Sequence, residues 1–117
     1  FGFDPELLAM VPSPVHAVLA CFPLTDRYKQ RLQNQPPRTE AADAPYFMQQ
    51  TVPNACGTVA LIHAFANLPP QVAAQADPES WLARFVGRTG GKSAGERAGE
   101  LEEDEGLAAT HNEMAGQ

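Results

Sequence analysis

A chain of 117 residues, 44% of them hydrophobic, can bury one ordinary core. Its net charge of −6, with no basic and aromatic-laced stretch to meet phosphate, argues against a nucleic-acid partner. No apolar run reaches membrane-spanning length, and no signal-peptide layout is present, so no membrane association is expected.

The charge is unevenly spread. Residues 1–92 carry seven acidic and seven basic groups, whereas residues 93–117 carry seven acids against Arg97 alone. The acidic run Glu102-Glu103-Asp104-Glu105 reads as a solvated helix face or loop, with a docking patch for a basic partner as the alternative. Cys21 and Cys56 have neither the number for a disulfide framework nor the spacing of zinc ligands, which points to a reducing, intracellular home. The chain opens on Phe1 and not on methionine, so a longer N-terminus is expected.

In chain order, Asp4-Pro5-Glu6 supplies an N-cap, a first-turn proline and a first-turn acid for a short helix through Met10. Pro12 and Pro14 end it. Val15 to Leu24 is apolar apart from His16, with the Val, Leu and Phe content of a central strand buried on both faces. Thr25 to Ala44 is polar and proline-bearing, a surface loop with a helical turn over Asp26–Gln33. Cys56 to Asn67 has almost no polar face, which predicts an enclosed helix, with Asn54 as its N-cap and Cys56 in its first turn. Asp77-Pro78-Glu79 repeats the helix-start pattern and predicts a helix turning Trp81, Leu82, Phe85 and Val86 inward. Gly87 to Gly91 reads as a flexible break. Ser93 and Glu96 have capping-box spacing and open a last, polar helix towards Met114, weakened by Gly95, Gly99 and Gly106. One strand among several helices has nothing to pair with, so partner strands are expected outside this chain.

The segment Gln50-Thr51-Val52-Pro53-Asn54-Ala55-Cys56-Gly57-Thr58 is the part suited to chemistry. A thiolate is the nucleophilic form of cysteine, and the free N–H groups and dipole at a helix start favour that charge at Cys56. Attack on an acyl carbon makes an oxyanion, which the Cys56 N–H and the Gln50 amide can share. Ala55 and Gly57 leave room for a substrate chain, and Phe47 and Met48 either line its channel or pack in the core. The bland alternative, a buried helix-start cysteine beside a loop amide, is outweighed by the glutamine, the N-cap and Gly57 taken together.

A general base is also needed. His63 lies seven residues beyond Cys56, roughly 10 Å along the same helix, and reads as a packed core residue. His16 interrupts the expected strand, and His111 lies near the end of the acidic helix; neither is a strong candidate. Cys21 reads as a small buried hydrophobe.

The run from Tyr46 through Gln50 and Cys56 to Ala64 resembles the active-site segment of the ubiquitin C-terminal hydrolases, papain-like cysteine peptidases of the deubiquitinating class. Asp4 to Pro12, Pro14-Val15, Phe22-Pro23-Leu24-Thr25, the Ser93–Arg97 helix start and Thr110-His111 are similar to the short single-domain branch. The resemblance makes Cys56 the nucleophile and Gln50 the oxyanion-hole donor, gives His63 no catalytic role, and puts the catalytic histidine and its aspartate beyond Gln117. It implies an α+β fold, an antiparallel sheet between helices with a knotted backbone, of which residues 1–117 form the central part of a single catalytic domain. It further implies hydrolysis of small adducts or peptides from the C-terminal glycine of ubiquitin or a ubiquitin-like protein, by a monomer in the cytoplasm or nucleus, without metal or organic cofactor. An inert or weakly ubiquitin-binding fragment is the second reading, and a redox-sensing thiol at Cys56 the third.

Overall fold

The computed structural model describes residues 2–37 and 43–115, which form seven helices and, among the described residues, no strand. They are α1 (Pro5–Leu8), α2 (Asp26–Gln33), α3 (Cys56–Ala66), α4 (Pro70–Ala73), α5 (Trp81–Thr89), α6 (Ala94–Glu102) and α7 (Glu105–Ala115). The core lies between α3, α5, α6 and residues 46–52. Met48, Val59, Ile62, Phe85 and Leu101 are buried there, with Tyr46, Val52, Trp81, Leu82, Val86 and Leu107 packed around them. Fully burying an aliphatic or aromatic side chain of this size is worth about 1.5–3 kcal/mol, so these few residues dominate the lobe's stability.

The N-terminal third stands apart from this lobe. Val15 to Leu24, expected as a buried central strand, has no regular secondary structure and is exposed; Val18, for instance, keeps 86% of its surface. The composition is that of a strand, yet no neighbouring strand among the described residues offers it a hydrogen-bonding ladder. Cys21 is exposed with it, not buried as read from the sequence. The radius of gyration, 16.4 Å, exceeds the roughly 13 Å of a closely packed chain of this length. α2 does form at the predicted residues, with Thr25 Oγ1 accepting the Tyr28 N–H at 3.3 Å.

Helix starts follow local capping chemistry, though not always at the expected residue. Ser93 and Glu96 make the predicted capping box. α5 begins three residues later than the Asp77 pattern suggested, because Ser80 is its N-cap and accepts the Ala83 N–H at 3.2 Å. Asp77 instead folds its carboxylate onto the Glu79 N–H at 2.9 Å, a turn before the helix. α5 then runs through Gly87 to Thr89, where a flexible break was expected, and Thr89 Oγ1 donates to the Phe85 carbonyl at 2.7 Å.

The last helix is two helices, and the acidic run contains the reason. The run was expected to be a solvated helix face or loop, and Glu102, Glu103 and Glu105 are exposed, but Asp104, between α6 and α7, has a side chain only 7% exposed. Its Oδ1 accepts the Trp81 indole N–H at 2.9 Å and the Leu107 N–H at 2.9 Å, while Oδ2 pairs with Arg88. Asp104 thereby caps α7 and ties it to α5. Gly106 allows the close fit, since a Cβ there would lie 3.1 Å from Asp104 Oδ1 and 3.4 Å from the Trp81 ring. Burial alone would raise the Asp104 carboxyl, but hydrogen bonds from Arg88, the Leu107 N–H and Trp81 hold it below the usual carboxylate range. Its stabilisation is therefore present above the unfolded carboxyl's pKa and is lost as pH falls through the lowered folded value. Asp104→Ala is expected to lower the unfolding free energy by about 2–3 kcal/mol in urea titrations, because three donors lose their acceptor. Asp104→Asn should lose less at neutral pH and show a flatter acid limb.

Candidate active site

Cys56 is the first residue of α3 and is exposed, as the motif requires of an attacking group. The predicted cap differs in detail. Ala55, not Asn54, holds the N-cap position, with φ −100° and ψ 16°, and no side chain caps the helix. Asn54 instead has φ 59°, in the left-handed region that asparagine tolerates better than most residues, and turns the chain into the helix. The Ala55 carbonyl receives the Val59 N–H at 2.9 Å, and the Cys56 N–H belongs by position to the first turn, whose donors have no partner within the helix. Ala55 is buried and packs inward, so it does not line the thiol's surroundings. A Cβ on Gly57 would meet nothing within 4 Å, so the space beside the thiol is open.

Gln50 is exposed as well, and among the described residues neither its amide nor the Cys56 thiol makes a hydrogen bond. The structure thus places both on the surface, joined by residues 51–55, with no direct bond between them. Just upstream the chain is firmly held. Met48 is core, and Gln49 N–H donates to the Ala94 carbonyl at 3.3 Å.

α3 is apolar on all sides but covered on one. Val59 and Ile62 face the core, whereas Leu61 keeps 54% of its surface, contrary to the enclosed helix expected. An apolar cleft of about 460 Å³ opens beside it, lined by Thr58, Leu61, Trp81, Leu82, Leu107 and Thr110.

His63 is a packing residue. Its Nε2 accepts the Met48 N–H at 3.0 Å, and its ring stacks on Phe47 with centroids 5.2 Å apart. His16 is exposed on the N-terminal arm, and the His111 side chain lies outside the described residues. Asn67 and Arg97 were not singled out from sequence, yet they bind the backbone of Tyr46 and Phe47. Two signals pointed to them: Asn67 lies one helical turn beyond His63, and Arg97 is the lone cation of the acidic quarter.

Burial holds the His63 imidazole below the ordinary histidine range, and the nearby Arg97 charge acts in the same direction. Protonating Nε2 would also cost the Met48 hydrogen bond. The unfolded chain therefore takes up this proton more readily than the folded one. Stability is full above the unfolded value of 6.5 and declines as pH falls from there towards the lowered folded value. Urea midpoints measured from neutral to mildly acidic pH should show this decline. His63→Gln, which can offer a non-titrating acceptor to Met48, should flatten it.

Sequence comparison relates the chain to known proteins. A family model, ubiquitin carboxyl-terminal hydrolase family 1, matches residues 1–117. Ubiquitin carboxyl-terminal hydrolase 3 of Arabidopsis thaliana is 38% identical over 115 residues, covering 96% of this chain and 48% of the relative. A ubiquitin carboxyl-terminal hydrolase of Aplysia californica is 37% identical over 115 residues, with 98% and 52% covered. The rat isozyme L1 is 36% identical over 117 residues, with 97% and 52% covered. The chain spans about half the length of the curated relatives it matches. It belongs to the ubiquitin carboxyl-terminal hydrolase family, the C12 peptidases.

Proposed function

We propose that the protein is a thiol hydrolase that releases adducts from the C-terminal glycine of ubiquitin or a ubiquitin-like protein. The observation that carries this reading is Cys56, exposed at the first position of α3 within a chain matched to the family from end to end. The Cys56 thiolate attacks the glycine carbonyl carbon, an S–C bond forms, and the carbonyl π pair moves onto oxygen. The Cys56 N–H and the Gln50 amide hold that oxyanion. Collapse restores the carbonyl and breaks the bond to the leaving amine, which takes up the proton originally removed from the thiol. Water then attacks the thioester, its proton goes to the same base, and the thiolate is released.

His63 does not serve as that base, since its Nε2 already accepts the Met48 N–H. We assign the proton shuttle to a histidine, oriented by an aspartate, in the half of the relatives' length that this chain does not cover. The same reading makes residues 1–117 part of one papain-like α+β domain, in which Val15 to Leu24 becomes a strand once neighbouring strands are present. It makes the protein a cytoplasmic and nuclear monomer. The partial coverage of the relatives also favours a second reading, in which residues 1–117 by themselves bind ubiquitin without hydrolysing it.

Turnover of a fluorogenic ubiquitin C-terminal amide by the protein from its full reading frame separates the two. Cys56→Ser should abolish hydrolysis, and Gln50→Ala should lower kcat by about 10²–10³-fold, the loss seen when an oxyanion donor is removed. Turnover that persists in Cys56→Ser would falsify the assignment. Ubiquitin binding by residues 1–117 without turnover in the full-length protein would favour the second reading.

A further inference from the structure

Residues 46–49 belong to no helix, and no strand among the described residues lies beside them, yet their backbone is held as closely as a strand in a sheet. Tyr46 N–H donates to Asn67 Oδ1 at 2.8 Å, and Asn67 Nδ2 returns a bond to the Tyr46 carbonyl at 3.0 Å. The Phe47 carbonyl accepts from Arg97 Nη1 at 2.8 Å. Met48 N–H is bound by His63 and Gln49 N–H by Ala94. Side chains of His63, Asn67 and Arg97, with the Ala94 carbonyl, thus do the work of a neighbouring strand, up to the residue before Gln50.

Arg97 is unusual in how its charge is spent. Its Nε donates to the Thr89 carbonyl at 3.0 Å and Nη2 to the Gly90 carbonyl at 2.8 Å, both at the end of α5, where carbonyls lack helical partners and favour a cation. The guanidinium carbon lies 3.8 Å over the Tyr46 ring. One planar fork therefore locks the end of α5, the Tyr46 ring and the Phe47 backbone together.

Asn67 adds the link to the nucleophile. It is the C-cap of α3, the helix that begins at Cys56, and its Nδ2 also donates to the His63 carbonyl at 2.8 Å. The two ends of one helix thus hold the thiol and the strand-like lead-in to the oxyanion donor. We infer that Asn67 and Arg97 are positioning residues that set where the Gln50 amide stands relative to Cys56, an inference that rests on Gln50 being the oxyanion donor. The backbone up to Gln49 is fixed, and among the described residues the Gln50 amide has no hydrogen-bond partner that would compete with an oxyanion.

The test uses the protein from its full reading frame, a ubiquitin C-terminal amide, and iodoacetamide. Iodoacetamide alkylates Cys56 at a saturated carbon and so forms no oxyanion. Asn67→Ala and Arg97→Lys should each lower kcat about tenfold or more with KM little changed, since small misplacements of catalytic groups have effects of that order. Cys56 alkylation should proceed at the parent rate, and neither change should add to the loss in Gln50→Ala. If Arg97→Lys lacks the parent's melting transition, Asn67→Ser, which loses the bonds to the Tyr46 backbone and the His63 carbonyl but leaves the Arg97 contacts in place, carries the same expectation. Unchanged kcat in these variants, losses that multiply with that of Gln50→Ala, or a matching fall in alkylation overturn the positioning role while leaving Gln50 in place. Parent-like kcat in Gln50→Ala, or no turnover by the unmutated protein, removes the underlying reading and the positioning role with it.

Discussion

The packing of α3 against α5 and residues 46–49 is the constraint on which the rest depends. The start of α3 presents Cys56, its middle contributes Val59 and Ile62 to the core, and its end binds the chain that leads to Gln50. A helix with so little polar surface is stable only when packed, because its hydrogen bonds alone do not offset the cost of ordering eleven residues. The remaining helices supply that packing. Phe85 is fully buried in α5 and Leu101 nearly so in α6, while Asp104 fixes α7 against Trp81. Loss of these contacts would release the helix start as well as the core.

That packing covers only one side of α3. Leu61 faces outward, and Phe3, Met10, Val18, Phe22 and Leu24 along the N-terminal arm are exposed too. Apolar surface on this scale calls for a cover. The flank stays open among the described residues, and the chain spans about half the length of the relatives it matches. The ion pairs on the outer side are of small consequence by comparison. Arg88 and Lys92 pair with Glu100 at the surface, where solvent screens the attraction and such pairs contribute little.

Much of the helical lobe was legible in the sequence because its signals are local. Cys56 at a helix start, the Ser93 capping box and the inward Trp81, Leu82, Phe85 and Val86 each depend on residues within a turn or two. The errors arose where one residue type suits two local structures. Asparagine serves as an N-cap and in the left-handed region, and Asn54 takes the second. Aspartate caps helices and closes turns, and Asp77 does the latter. The long-range partners were hidden for a different reason. Arg97 bonds a carbonyl fifty residues away and Asp104 an indole twenty-three residues away, and no periodicity records such pairings. Val15 to Leu24 was read from composition as a strand, but a strand also needs a neighbour, which composition does not supply.

The account's central claim is that Cys56 is the attacking atom. A ubiquitin whose C-terminal carboxylate is replaced by a thiol-reactive electrophile tests it most directly, with the adduct located by peptide mapping after reaction with the protein from its full reading frame. The account predicts one ubiquitin per molecule, attached at Cys56. Attachment at Cys21, or no attachment while iodoacetamide still alkylates Cys56, would contradict it.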